Sequence, residues 1–184
     1  MIILTLAQIT EKLGSTAAAD FAELYEQFLP KVYRYISYRI SDVPTAEDLT
    51  SSVFEKALSK FKTYSQQKAQ FSTWIFTIAR NTLIDHYRAR GSRPTVTLED
   101  PAALSVEDAS PEDATVAADE SRHLNACLAK LSPQEQEIIS LKFGAEMTNR
   151  QIAATLALSE SNVGVILYRS MRKLRDEFGG KANG

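Results

Sequence analysis

No stretch limits the fold as much as residues 148–178, TNRQIAATLALSESNVGVILYRSMRKLRDEF. Its apolar positions fall at helical period twice, with a break between. Thr148 or Asn149 opens the first helix as N-cap, and Ile152, Ala153 and Leu156 share one face. Ala157-Leu158-Ser159 makes a tight turn, and Ser159 caps a second helix with inward positions Val163, Ile166, Leu167, Ser170/Met171 and Leu174. So short a connection, with the small Ala153 at the crossing, suits two steeply crossed helices, the helix-turn-helix geometry. The far half of the second helix is basic, with Arg169, Arg172, Lys173 and Arg175. A basic helix behind a tight turn fits a DNA major groove, although a plain helical hairpin with solvated charges has the same pattern. Two residues oppose local propensity. Ala157 stands where a left-handed backbone favours Gly, at roughly 1 kcal/mol. Gly164 weakens the second helix by about the same amount.

A net charge of −2 looks wrong for a nucleic-acid binder. The distribution resolves this. Residues 1–93 hold 12 Lys/Arg against 9 Asp/Glu, residues 94–121 hold 8 Asp/Glu and no Lys/Arg, and residues 122–184 hold 9 against 6. Two mildly basic segments flank an acidic one. The acidic stretch would repel phosphate, so any DNA contact belongs to its neighbours. Three Pro and scattered Ala and Ser within 94–120 read as linker composition.

A chain of 184 residues holds one domain or two small ones. The single Cys127 rules out a disulfide within the chain and fits a reducing compartment. His86 and His123, with no Cys cluster, give no metal-ligand spacing, so neither metal nor cofactor is expected. The start MIILTLAQITEKLG has no basic n-region, long apolar run or cleavage site, and no segment is long enough to cross a bilayer. The protein is expected in the cytoplasm, without membrane insertion.

Read in order, residues 1–18 form a leader in which Ile2, Ile3, Leu6, Ile9 and Leu13 give a short amphipathic segment. Asp20 reads as the N-cap of FAELYEQFLPKVYRYISYRI, which Pro30 kinks or divides. Ser41–Pro44 reads as a loop, with Thr45 capping AEDLTSSVFEKALSKF; its apolar face is Leu49, Val53, Phe54, Ala57, Leu58 and Phe61. A third helix begins near Phe71-Ser72, buries Trp74, Ile75, Ile78, Ala79 and Leu83, and ends basic. Beyond the linker, RHLNACLAKL and SPQEQEIISLKF form two more helices. Ser132, Pro133 and Glu135 supply an N-cap, a first-turn proline and a capping box. There is no strand alternation. The expected fold is all-α: a leader 1–18, a helical domain 19–93, an acidic linker 94–120 and a helix-turn-helix domain 121–184.

Three stretches, in this order, carry a family resemblance. AEDLTSSVFEKAL, residues 46–58, resembles the core-binding helix in region two of a sigma factor of bacterial RNA polymerase, of the extracytoplasmic-function (ECF) group. FSTWIFTIARNTLIDHYRAR, residues 71–90, resembles that family's promoter-melting and minus-ten segment. LSPQEQEIISLKF with the helix-turn-helix resembles region four, which reads the minus-thirty-five element. Ala157 and Gly164 depart from the family's usual turn Gly and Lys. The resemblance implies an alternative sigma factor that performs no bond chemistry. It binds polymerase core and directs promoter-specific initiation. The implied partners are the clamp helices of the largest polymerase subunit, the flap of the second-largest subunit, promoter DNA and an anti-sigma factor.

On this reading Asp48, Ser52, Glu55 and Lys56, the polar face of the 46–61 helix, hold the polymerase core. Lys62, Tyr64, Lys68, Arg80, Asn81, Asp85, Arg88 and Arg90 meet the minus-ten DNA, since opened strands need cations, stacking surfaces and base-edge readers. Trp74, with apolar neighbours at helical spacing, reads as core. Ser159, Glu160, Ser161, Asn162 and Val165 lie where a recognition helix meets base edges, with Arg169, Arg172 and Lys173 further along and Arg150 placed for a phosphate. Two rivals stand beside this reading. A stand-alone helix-turn-helix regulator would not need the second basic surface at 71–93. A hydrolase built on His86 or His123 with Asp85 has poor geometry, because adjacent Asp85 and His86 project about 100° apart on a helix.

Overall fold

The computed structural model describes residues 9, 12–13, 15–91, 124 and 126–179. The acidic linker 94–120 and most of the leader lie outside them. Among the described residues all regular structure is helical.

The first unit contains three long helices. Helix α1, Ser15–Ser37, buries Ala18, Phe21, Tyr25, Val32, Tyr35 and Ile36. It runs through Asp20, which therefore caps nothing. It also runs through Pro30 without a break. Pro30 and Glu26, whose carbonyl loses its intrahelical partner there, are both exposed. Helix α2, Val43–Lys60, is capped by Asp42 rather than Thr45: the Asp42 carboxylate accepts from Thr45 N at 2.9 Å, and Pro44 lies in the first turn. Helix α3, Phe71–Ala89, closes the unit by burying Phe71, Ile75, Phe76, Ala79 and Leu83 against α1 and α2. Ile9 of the leader is buried in the same core.

The second unit opens with a helical stretch that includes residues 126–129 and buries Cys127 and Leu128, followed by α4, Pro133–Ile139, whose Ser132–Glu135 capping box and Pro133 are both present as expected. Buried Gln136 donates to Leu128 O and Leu131 O at 3.0 and 3.1 Å, satisfying carbonyls freed where the preceding helical stretch ends. A π-turn at Ser140–Gly144 follows. Helices α5, Asn149–Leu156, and α6, Glu160–Gly179, complete the unit.

The units pack on each other, which the reading as two linked domains did not anticipate. Gly144 lies so close to α1 that a Cβ there would sit 3.0 Å from Tyr35 Cα. Glu137 of α4 accepts from Tyr35 Oη at 2.6 Å and pairs with Arg39 Nη1 at 2.6 Å, Arg39 being 2% exposed. Glu146 pairs with Lys31 and Arg34 of α1, and Gln151 donates to Gln70 and Ser72 at the start of α3. These contacts clasp the units together.

Candidate nucleic-acid interface

The helix-turn-helix forms as its residues dictate. Thr148 and Gln151 make a reciprocal capping box that fixes the start of α5. Ile152 and Ala153 are buried. Ala157 takes the left-handed conformation, φ 55° and ψ 42°, despite its Cβ. The turn is held because Leu158 N donates to Ala153 O at 3.0 Å. Ser159 Oγ then accepts from Asn162 N at 3.2 Å, capping α6. Val163, Leu167, Ser170 and Leu174 are buried, which turns Ser161, Val165, Arg169 and Arg172 outward. Glu160, Asn162 and Arg150 are also exposed.

Lys173 is partly committed elsewhere, because its ammonium lies 2.7 Å from Glu135 Oε1. Desolvation pushes the Glu135 carboxyl up, but hydrogen bonds from Lys173 and Ser132 outweigh it and hold the group below its ordinary value. Lys173 thus ties α6 to the capping box of α4 as well as adding charge to the basic end.

In the first unit, Asp48 and Glu55 are exposed and Ser52 is half-buried on the same side of α2. Lys56 turns inward and donates to buried Thr82 of α3 at 3.1 Å. On α3, Asn81, Asp85 and Arg88 share an exposed face, and Arg90 follows at the C-cap. Arg80 projects about 100° away from Asn81. It lines a cleft of about 320 Å³ between the units with Arg39, Leu83, Tyr87, Glu137 and Leu158, its Nε 4.0 Å from Glu137. Arg80 is therefore not grouped with the other minus-ten candidates in this arrangement. Tyr64 is half-buried in an aromatic nest, 4.9 Å from Trp74 and 5.5 Å from Phe71, and donates to Ala69 O. Its ring is a wall of that nest. Trp74 belongs to it too, half-buried and packed against the core rather than buried within it. Lys62 and Lys68 are exposed on the rim.

The sequence reading missed Tyr35, Arg39, Glu137 and Glu146. Their partners lie about a hundred positions away, and no local period reports such pairs. Among the described residues no group of three or more His, Cys, Asp or Glu could hold a metal ion, and no helix is long and apolar enough to cross a membrane.

Two helical units, one presenting a helix-turn-helix and the other a second polar and basic helix face, give the described residues the architecture of a helical protein of the helix-turn-helix class. Two family models match the chain: Sigma-70 region 2 over residues 24–93 and Sigma-70, region 4 over residues 127–176. The chain belongs to the sigma-70 family, in its ECF group. It is 32% identical over 169 residues to the ECF RNA polymerase sigma factor BldN of Streptomyces coelicolor, matching 92% of this chain and 64% of that relative's length. It is 29% identical to the ECF RNA polymerase sigma factor RpoE of Cereibacter sphaeroides, over 85% of each chain. The fold is similar to the sigma factor RpoE from Bartonella quintana, solved in complex with the anti-sigma factor NepR, at TM-score 0.68 and 19% identity, covering 87% of this chain and 97% of that one.

Proposed function

We propose that the chain is an alternative sigma factor that binds RNA polymerase core and directs promoter-specific initiation. The observation that carries this is the presence, in order along one chain, of a region 2 match and a region 4 match, each folded as its own helical unit. A stand-alone regulator would not need both. Asp48, Ser52 and Glu55 on the outer side of α2 form the polymerase-facing patch, with the clamp helices as partner. Asn81, Asp85, Arg88 and Arg90, with Lys62 and Lys68 on the rim, form the minus-ten surface. Residues 159–172, with Arg150, read the minus-thirty-five element. The protein works in the cytoplasm with its polymerase, and an anti-sigma factor is a natural regulator, as in the Bartonella complex.

The test is copurification with core polymerase followed by run-off transcription on genomic fragments. A stable complex that initiates at discrete sites, dependent on this chain, is the expected result. Specific DNA binding with no polymerase complex would return the reading to a stand-alone regulator.

A further inference from the structure

The outward line of α6 differs in chemistry from the rest of the helix. Ser161, Val165, Tyr168 and Arg172 follow one another at steps of four, three and four, a single stripe at 100° per residue. Val165 is 43% exposed and Tyr168 is 71% exposed, and neither joins the core. Residues 160–168 contain no Lys or Arg, and the cations begin at Arg169. Gly164 adds a gap beside Tyr168: a Cβ there would meet only Asn149 Nδ2, at 3.9 Å.

The N-terminal half of a recognition helix is the part that meets base edges. Here that half lacks the Arg or Lys that would bind guanine in two places. Its middle is an aliphatic side chain and a ring, both turned to solvent. On the floor of the major groove the apolar group is the thymine 5-methyl. Guanine and cytosine edges would instead strand polar atoms against Val165.

We propose that Val165 and Tyr168 determine specificity for the upstream element by packing on thymine 5-methyl groups, while Arg169 and Arg172 hold phosphates on either side. The missing side chain at Gly164 lets the backbone approach and leaves room for the tyrosine ring. This rests on the sigma-factor reading, in which α6 enters the upstream DNA.

The experiment uses holoenzyme, the full chain with core polymerase, on a promoter found by run-off transcription. Each thymine of the upstream element is replaced by deoxyuridine, which removes the methyl and nothing else. Binding is expected to fall about fourfold per contacted methyl. Val165→Ala should weaken binding to the thymine template by a similar factor and bind the deoxyuridine template as the parent does. Tyr168→Phe should keep the methyl discrimination and Tyr168→Ala should lose it. Equal affinity for thymine and deoxyuridine templates, with a T·A to G·C change still costly, overturns the proposal and leaves the sigma reading intact. Indifference even to the base-pair change overturns the proposal and takes base reading away from α6, whereas failure to form holoenzyme or to initiate in the run-off step is the result that overturns the sigma reading.

Discussion

At the scale of single residues, Ala157 is the clearest case of a local rule broken and visible in advance. A short turn between two crossed helices needs a left-handed residue, and the sequence has Ala there, at φ 55°. Ala157→Gly should stabilise the chain by about 1 kcal/mol, raising the melting temperature by roughly 2–4 °C in a thermal scan. Glu135 gives a second prediction. Its carboxyl lies below the ordinary value because hydrogen bonds from Lys173 and Ser132 outweigh desolvation. The stability it contributes is complete above the unfolded carboxylate pKa of about 4.3 and is lost as pH falls through the lower folded value. Glu135→Gln keeps the capping-box geometry but removes the charge facing Lys173. Its unfolding free energy should therefore depend less steeply on pH below about 5 in acid titrations followed by circular dichroism. Val165 was legible as a helix-face residue. Tyr168 was not, since only burial distinguishes an exposed ring from a core one.

At the scale of elements, the helices were mostly readable because each carries an amphipathic period. Their edges were less so. Thr45 and Asp42 are both capping types three positions apart, and Pro44 fits a loop as well as a first helical turn. Lys56 belongs to the polar face assigned to polymerase contact, yet it reaches Thr82 across the bundle. The α2 assignment is better tested on Asp48 and Glu55. Asp48→Arg with Glu55→Arg should abolish association with core polymerase in a pull-down while leaving the helical spectrum unchanged. On α3, Arg88→Ala with Arg90→Ala should leave upstream DNA binding intact but block strand opening. Permanganate reactivity of unpaired thymines near the start site would then be lost. Normal opening by this double variant would remove the melting role from the end of α3.

At the scale of the whole molecule, the clasp between units was invisible to sequence reasoning. Glu137 meets Arg39 and Tyr35 across separations of 98 and 102 positions, and neither helix pattern marks these polar positions as partners. The guanidinium of Arg39 is buried, so Glu137→Ala leaves a charge without its counterion, a loss on the order of 3–5 kcal/mol for the docked arrangement. The units should then separate, seen as a larger radius of gyration in small-angle scattering with helix content retained. An unchanged radius would show that the remaining contacts, those of Gly144, Glu146 and Gln151 among them, hold the units together without Glu137.

On the proposed function, the clasp also makes the molecule too short to read two promoter elements at once. A compact chain of this length has a radius of gyration of about 16 Å. Elements named for positions about 25 base pairs apart lie roughly 85 Å from each other along duplex DNA, at 3.4 Å per pair. The clasped protein cannot straddle both. The covalent tether 92–123 can cover the distance, since 32 residues reach at most about 105–115 Å. On the proposed function, reading both elements at once therefore requires the contacts of Glu137, Glu146 and Gln151 between the units to part.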